Sequence, residues 1–337
     1  MQLLFIAVVL AVLGYAFLNG MHDSSGLVAA AISSRSMKPR SALCLAAAAE
    51  FVGPFLFGTA VAATIGKDLV ESSAITLPVL LIAICSAIIW NLATWYLGLP
   101  SSSTHALLGG LVGAVTLMRG PQYLLLGGFV KVLFALFLAP FVGLVAGYLF
   151  MLVTKKLTCA ASPQINSWFK HAQPFNVIAL AVSHGTDDGQ KSMGLLAIAL
   201  VAAGYQTDFG VPLWVTLIVA IALMLGVSSG GWRIIRTIGG GIYRLRPVHA
   251  FATQTSSAAI VMVAALLGAP ISTTQVVSAA IIGVGSAERA SAVRWQVAGQ
   301  IAKAWLITVP AAAAVAAVLA IVPFGWAIAT VEKVLGV

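Results

Sequence analysis

The chain has 337 residues, of which 61% are hydrophobic and only 8% are charged. Soluble domains carry about a quarter charged residues, so this composition excludes a soluble protein and predicts an α-helical protein with many membrane spans. The net charge of +9 comes from residues in short loops rather than from a basic and aromatic cluster, so no nucleic acid is expected as a partner.

Ten apolar segments follow one another along the chain, and two of them contain polar interruptions, at 19–26 and 183–194. A helix needs about twenty residues to cross a bilayer, so the two shortest segments are expected to be half-helices or re-entrant segments. Nothing remains for a soluble domain. The segments are 3–33, 41–65, 75–98, 104–118, 123–153, 174–203, 211–229, 250–268, 272–287 and 296–323, of which 104–118 and 272–287 are the short ones.

Basic residues are unevenly divided between the loops of this map. If the N-terminus is outside and every segment crosses, the inside loops hold twelve Lys and Arg, whereas the outside loops and tail hold only Lys67, Arg119 and Lys333. Positive charge favours the cytoplasmic side of a membrane protein. The pattern therefore predicts that both termini are outside and that two halves of five segments have opposite orientations.

The two halves also share motifs at a nearly constant distance. This predicts an all-α membrane protein with two inverted repeats, 1–153 and 174–337, joined by a cytoplasmic linker at 154–173. Such folds carry broken or re-entrant helices and place the substrate near the midplane, where the repeats meet. The matched features are Asp23 with Asp188, 165 residues apart, and Pro100–His105 with Pro270–Gln275 and Pro140 with Pro310, each 170 residues apart.

Each half contains a hydroxyl-rich segment that follows a proline. The first backbone N–H groups of a helix lack partners inside the helix, and together with hydroxyl donors they can surround a tetrahedral oxyanion. Membrane Ser and Thr often bond to their own helix backbone instead, but the duplication after a proline favours a binding role. The candidate substrate ligands are Ser102, Ser103, Thr104, Ser272, Thr273 and Thr274.

Asp23 and Asp188 would by themselves repel an anion. Ionisable residues inside membrane segments are costly and usually functional. Both residues are compatible with an anionic cargo if each first binds a proton or another cation, and this requirement would couple the two movements. Lys191 lies three residues after Asp188, so in a continuous helix it shares a face with this carboxylate and can neutralise it or contact the anion.

Three further residues are candidates for binding the coupling proton or cation. His22 directly precedes Asp23, and the imidazole side chain titrates near neutral pH. Glu50 is isolated within the second apolar segment, where it can take up a proton or bind a cation. His184 fits a hydrogen-bonded packing role as well as a coupling role.

These motifs resemble the inorganic phosphate transporter (PiT) family, which carries two Gly-Ala-Asn-Asp-type signatures, each followed by a Pro-x-Ser-Thr segment. Here the signatures read Gly20-Met-His-Asp23 and Gly185-Thr-Asp-Asp188, and the stretch around Gln190 and Lys191 resembles the bacterial low-affinity branch. The resemblance implies uptake of inorganic phosphate at a central site formed by both motif Asp residues, the Ser/Thr segments, Gln190 and Lys191.

The chain departs from the family pattern at the residue before each Asp. In sodium-coupled members an Asn at this position helps to bind sodium, but here the positions are His22 and Asp187. Gln275 also replaces the expected His of the second Pro-x-Ser-Thr segment. These departures favour protons over sodium, or phosphate carried as a neutral metal complex. The candidate coupling residues are His22, Asp23, Glu50, Asp187 and Asp188.

The sequence therefore predicts a secondary active transporter that takes up inorganic phosphate by proton symport with alternating access. No ATP-binding motif is present, so a gradient must supply the energy. No cofactor or bound metal is expected, and the chain is not expected to be an enzyme. The resemblance implies the inner membrane of a bacterium, with lipid as the surroundings, and a homodimer stays open.

Four alternatives stay open at this point. Sulfate or another tetrahedral oxyanion could replace phosphate as the cargo, and sodium could replace the proton. A passive anion channel would need no coupling. An intramembrane hydrolase built on Ser103, His105 and Asp23 would need a nucleophile in contact with a base, and the duplicated hydroxyl segments argue against it.

Overall fold

The computed structural model describes residues 1–321. Within that range the chain forms twelve α-helices joined by short turns. The end of the predicted segment 296–323, Lys333 and the remainder of 322–337 lie outside the described residues. The helices are α1 (Gln2–Ser33), α2 (Pro39–Val52), α3 (Ala60–Lys67), α4 (Leu77–Leu97), α5 (Ser103–Met118), α6 (Leu126–Leu157), α7 (Ile165–Ala202), α8 (Leu213–Ser229), α9 (Trp232–Arg236), α10 (Pro247–Leu266), α11 (Thr273–Arg289) and α12 (Trp295–Ile321).

Five helices are long and apolar enough to cross a membrane: α1, α4, α6, α10 and α12. Two bent pairs raise the number to as many as seven, namely residues 39–55 with α3, bent by 70°, and α8 with residues 232–241, bent by 55°. By comparison, α5 and α11 are short, with 16 and 17 residues. The all-helical, multi-span fold with broken helices that the sequence predicts is thus confirmed.

The polar interruptions of the two apolar segments do not interrupt the helices. Both α1 and α7 run continuously through 19–26 and 183–194. Every polar side chain of the two stretches is buried against other helices. In α1 the hydroxyls of Ser24 and Ser25 donate to backbone carbonyls three residues earlier. Since neighbouring groups satisfy these side chains, the helix backbone does not have to open for them.

Glycines allow the polar helices to approach their neighbours backbone to backbone. A Cβ atom on Gly20 of α1 would lie 2.4 Å from the carbonyl oxygen of Leu223 in α8. A Cβ atom on Gly185 of α7 would lie 2.4 Å from the carbonyl oxygen of Glu50 in α2. No side chain fits at either crossing, because close-packed interiors leave no free volume. The first glycine of each signature therefore has a packing role.

The two predicted halves are joined by exchanged helices. α5 of the first half packs against α12 of the second, and α11 of the second packs against α6 of the first. α1 and α2 likewise pack against α8 and α7. The non-helical connection 158–164 is shorter than the predicted linker at 154–173. The inverted relation of the halves and their limits stay predictions.

Contacts between loops and helix ends mark two regions of the molecule, while the predicted sides of the membrane stay a prediction. At the basic end, Glu288 lies 2.8 Å from Arg246 and 3.2 Å from Lys155, which brings together the ends of α6 and α11 and the start of α10. At the opposite end, the Arg119 guanidinium donates to the carbonyl oxygen of Ser73. We call the region of Lys155, Arg246 and Glu288 the basic end.

Candidate substrate and coupling site

The two hydroxyl-rich segments form the starts of α5 and α11, and the two starts meet. Ser102 is the N-cap of α5, where its hydroxyl accepts from the backbone N–H of His105, and Ser272 is the N-cap of α11. Thr104 Oγ1 donates to the carbonyl oxygen of Ile271 at 3.2 Å. The sequence predicted that the two segments contribute to one site, and the structure places them side by side.

Asp23 of α1 lies between the two helix starts. Ser103 Oγ donates to its Oδ2 atom at 3.3 Å, and Thr274 Oγ1 donates to its Oδ1 atom. The carboxylate is only 2% exposed. Tyr15 precedes Asp23 in the same helix, α1. Its hydroxyl donates to the carbonyl oxygen of Ser103 at 3.1 Å and so fixes α1 against the start of α5. One hydroxyl from each predicted half thus binds the same carboxylate.

Lys191 joins the acidic residues of α7 to the hydroxyl segments. Its ammonium group is fully buried, contacts Asp188 Oδ1, and lies 2.7 Å from Asp187 Oδ2. The same group donates to Thr104 Oγ1 at 2.8 Å and to the carbonyl oxygen of Ile271 at 2.5 Å. Because α7 is a continuous helix, Lys191 lies on the same face as Asp188, as its three-residue spacing predicted.

His184 lies at the centre of the acidic residues. Its Nδ1 atom is 2.6 Å from Glu50 Oε1 of α2, and its Nε2 atom is 2.7 Å from Asp188 Oδ2 and 3.6 Å from Asp23 Oδ2. The imidazole thus connects three carboxylates that come from α1, α2 and α7. The sequence left this residue undecided, although its position four residues before Asp188 placed it on the same helix face.

Asn19 is a further residue that sequence reasoning missed. Its side-chain amide donates to Asp188 Oδ2 at 2.9 Å and so links α1 to α7. The available signal was again a spacing of four residues, here before Asp23. His22, a predicted coupling residue, is less closely engaged. Its Nδ1 atom lies 3.8 Å from Asp23 Oδ1, and its Nε2 atom lies 3.5 Å from Ser101 Oγ.

Five predicted substrate ligands make no hydrogen bond to an acidic residue among the described residues: Ser102 and Thr104, whose partners are given above, and Gln190, Thr273 and Ser272. Gln190 Oε1 accepts from the backbone N–H of Val61 at 2.7 Å, so this side chain satisfies a free donor at the start of α3. Thr273 Oγ1 is buried without a hydrogen-bond partner among residues 1–321. Ser272 makes no side-chain capping bond within the described chain, although it lies beside Thr273 at the start of α11.

The acidic cluster, defined as Asp23, Glu50, Asp187 and Asp188, carries more negative charge than its surroundings balance. Among the described residues Lys191 is the one lysine or arginine that pairs with it, and His184 and His22 also lie against its carboxylates. A buried charge without a counter-charge is strongly unfavourable, so the cluster must take up protons or cations. Ligand atoms of Asp23, His184 and Asp188 lie within 4.8 Å of one another, close enough to share one metal ion.

Comparison with known proteins identifies the family of this chain. Residues 19–316 match the family model described as "Phosphate transporter family". The chain is 39% identical over 316 residues to a "Probable low-affinity inorganic phosphate transporter" of Rhizobium meliloti, covering 93% of this chain and 95% of that protein. It is 38% identical to a protein of the same description from Bacillus subtilis, covering 94% of this chain and 96% of the relative.

A solved structure has the same fold. The chain superposes on "The sodium-dependent phosphate transporter" with a TM-score of 0.84 and 24% sequence identity, over 95% of this chain and 98% of the other. Because the superposition covers nearly the whole of both chains, the two proteins share the helical arrangement described above. The family model and the bacterial relatives confirm the resemblance seen in the signatures: this chain belongs to the phosphate transporter family.

Proposed function

We propose that this protein is a secondary active transporter that takes up inorganic phosphate by proton symport, through alternating access, across a bacterial inner membrane. Membership of the phosphate transporter family and the names of the bacterial relatives support phosphate as the cargo. The buried acidic cluster supports the proton as the coupling ion. The proposed substrate ligands are those named from the sequence, with Gln190 in a packing role in this conformation.

The observation that carries the proposal is the environment of Asp23. Hydroxyl donors from the starts of both α5 and α11 converge on its carboxylate, so the site is built to hold anionic oxygens. A phosphate bound there would compete for the donors of Ser103 and Thr274. Protonation of Asp23 removes its charge and its claim on these donors, and phosphate can then take its place. Proton binding and phosphate binding are coupled in this way.

The rest of the acidic cluster supplies a route for the proton. His184 contacts Glu50 and Asp188 and lies 3.6 Å from Asp23, so a proton has a short path among the three carboxylates. An inward proton gains about 2.3 kcal/mol for each 100 mV of membrane potential, enough for a few tens-fold accumulation per net charge. Asp187 shares Lys191 with Asp188 and completes the set of groups that can exchange protons.

A second candidate is coupling to a metal cation. The set of Asp23, His184 and Asp188 offers two carboxylate oxygens and one imidazole nitrogen within 4.8 Å. A cation such as sodium at this place would neutralise the same carboxylates that the proton is proposed to neutralise. Phosphate carried as a neutral metal complex is a variant of this candidate, because the metal then travels with the cargo.

Sulfate and a hydrolytic function are weaker candidates. Sulfate has the same shape as phosphate, but at neutral pH it carries no proton that a carboxylate such as Asp23 or Asp188 could accept, so the acidic residues favour phosphate. For hydrolysis, Ser103 would have to contact a histidine base, but its hydroxyl donates to Asp23, while His105 lies 3.5 Å from Gln275 and packs edge-to-face against Phe137. This arrangement does not pair a nucleophile with a histidine base.

The test is uptake of labelled phosphate into proteoliposomes containing the purified protein. An imposed inward proton gradient is compared with an inward sodium gradient, and excess unlabelled sulfate is the competitor. Asp23→Asn and Asp188→Asn keep a polar side chain but cannot exchange a proton. Asp208→Asn is the matched control, because Asp208 is exposed in the loop between α7 and α8.

We expect accumulation above equilibrium with the proton gradient alone, no effect of sulfate, loss of accumulation in Asp23→Asn and Asp188→Asn, and full activity in Asp208→Asn. Accumulation that requires sodium would replace the proton by the cation candidate. Competition by sulfate would change the cargo. Flux that only ever runs downhill would identify a passive channel instead of a symporter.

A further inference from the structure

The inner face of α10 carries buried polar groups that nothing described above uses. The side chains of Thr253, Gln254 and Ser257 are fully buried, as is Ser278 of the neighbouring helix α11. Within residues 1–321, the hydroxyls of Thr253, Ser257 and Ser278 and the Oε1 atom of Gln254 have no hydrogen-bond partner. A buried polar group without a partner costs about 1–3 kcal/mol, so four of them call for an explanation.

Hydrogen bonding to the helix's own backbone does not explain this face. The hydroxyl of a serine in a membrane helix commonly donates a hydrogen bond to a backbone carbonyl one turn earlier. Ser256 does so, donating to the carbonyl oxygen of Ala252 at 2.8 Å. The adjacent Ser257 and the nearby Thr253 make no such bond in the described chain. Their hydroxyls stay available for another partner.

The face lies between the acidic cluster and the basic end. Near the start of α11, Thr274 bonds to Asp23, and near its end Glu288 pairs with Arg246, which lies just before α10. α10 starts beside the end of α11 and packs against it, so its first turns lie along α11 on the way back towards Asp23. Gln254 accordingly donates to the carbonyl oxygen of Leu27, one turn after Asp23 in α1.

The fold itself does not require polar residues here. Positions 170 residues earlier, the distance at which the two halves repeat, belong to α4 and are Ala83, Ile84 and Ala87. All three are fully buried in an apolar core. Polarity has therefore been introduced into α10 at places where an apolar side chain packs well in the corresponding helix. This asymmetry indicates a function on the side of the basic end.

We propose that Thr253, Gln254 and Ser257, with Ser278, line the inner half of the route by which the anion leaves the acidic cluster towards the basic end. The inference rests on the proposed transport function. When the route is open, water and the oxyanion supply the hydrogen bonds that these groups lack in the closed arrangement. Arg246 and Lys155 form the mouth of the route, and their pairing with Glu288 closes it in this conformation.

The test is the reactivity of single cysteines with a small, anionic, membrane-impermeant methanethiosulfonate reagent, applied to each side of membrane vesicles. Cys44, Cys85 and Cys159 are first replaced by alanine. Thr253→Cys and Ser257→Cys probe the route. The matched controls on the same helix are Ala252→Cys, which is buried among apolar residues, and Ala259→Cys, which is exposed on the outer surface of α10.

We expect the two route cysteines to react at least about tenfold faster than both controls, because the reacting thiolate forms only where water reaches. The fast reaction is expected from the basic end, and excess inorganic phosphate should slow it. Should a route cysteine fail to insert in the membrane, Ser278→Cys on α11 takes its place, and uptake by Ser257→Ala is compared with uptake by Ser256→Ala. A tenfold or larger loss in Ser257→Ala alone is expected.

Equal labelling of route and control cysteines would overturn the inference, as would normal uptake by Ser257→Ala. Labelling reports water access whatever the cargo, so the inference and the proposed function fail separately. Protection by sulfate but not by phosphate would leave the route in place and change only the transported anion. Fast labelling in vesicles that never accumulate phosphate would contradict the symport while retaining the route.

Discussion

Lys191 is the residue whose loss should harm the protein most. Its buried ammonium group contacts Asp187 and Asp188 and donates to Thr104. In Lys191→Met the acidic cluster keeps four carboxylates without a permanent counter-charge, and breaking a buried ion pair in this way costs about 3–5 kcal/mol. We expect a large fall in the melting temperature of the detergent-solubilised protein.

The control for this prediction is Lys155→Met at the basic end, where a 45% exposed side chain pairs with Glu288. Partly exposed ion pairs contribute less than about 1 kcal/mol, so its melting temperature should stay close to that of the parent. Lys191→Met combined with Asp187→Asn should recover part of the lost stability. An unchanged melting temperature in Lys191→Met would contradict the charge balance described for the cluster.

Thr274 tests the hydroxyl donors. Thr274→Val keeps the shape of the side chain but removes the donor to Asp23. A hydrogen bond to a charged group contributes about 1.5–3 kcal/mol, which corresponds to a roughly tenfold to hundredfold loss of phosphate affinity if the same donor serves the anion. The measurement is the concentration of phosphate that gives half-maximal uptake.

Ser25→Ala is the matched control, since within residues 1–321 the hydroxyl of Ser25 donates to the carbonyl oxygen of His22 in its own helix and to no other group. It should leave the affinity for phosphate unchanged. Equal affinities in Thr274→Val and the parent would remove Thr274 from the substrate site.

Spacing along one helix was enough to predict some of the contacts in this site. Lys191 lies where its distance from Asp188 placed it, and the same reasoning would have found His184 and Asn19. Contacts between helices could not be predicted in this way. The side-chain oxygen of Gln190 accepts from the backbone N–H of Val61, a residue 129 positions away, and no local pattern indicates that partner.

At the scale of helices, the sequence predicted ten apolar segments, but it did not locate the two bends that the structure shows. A polar stretch in an apolar segment raises the expectation of an opened helix, yet α1 and α7 stay closed because other helices supply partners for their side chains. The true bends follow local backbone signals instead. They lie between Phe55 and Ala60, where Gly58 has a left-handed φ of 74°, and between Ser229 and Trp232, where Gly230 has a left-handed φ of 72°.

The crossing of α7 and α2 provides a test at this scale. A Cβ atom in Gly185→Ala would lie 2.4 Å from the carbonyl oxygen of Glu50, so α2 must move away and the contact of Glu50 with His184 must lengthen. Overpacking of this kind costs about 1–3 kcal/mol. We expect a lower melting temperature and weaker proton-driven uptake.

Gly127→Ala in α6 is the control, because a Cβ atom at this position meets no other atom within 4 Å among the described residues. Alanine is favoured over glycine inside a helix by about 0.5–1 kcal/mol, so this variant should be as stable as the parent or slightly more stable. Similar melting temperatures for Gly185→Ala and Gly127→Ala would contradict the close crossing.

At the scale of the whole molecule, the matched motifs predicted that the two halves share one site, and the structure brings the starts of α5 and α11 together. The sequence did not reveal how the halves hold each other. The exchange of α5 onto α12 and of α11 onto α6 depends on contacts between distant parts of the chain, for which motif spacing carries no information.

This exchange predicts the behaviour of a divided chain. The non-helical connection 158–164 separates α6 from α7, so fragments ending and beginning there keep every described helix intact. Each fragment alone would expose the apolar faces that α5 and α6 bury against the other half, and Asp23 would lose Thr274 while Asp188 would lose Asn19. Co-expressed fragments should therefore assemble and restore phosphate uptake, whereas either fragment alone should be degraded. A tag on one fragment shows by co-purification whether the two fragments assemble. Phosphate uptake by the same cells shows whether transport is restored. If one fragment alone were stable and accumulated phosphate, a complete site would have to exist within one half, contrary to the convergence of both helix starts on Asp23.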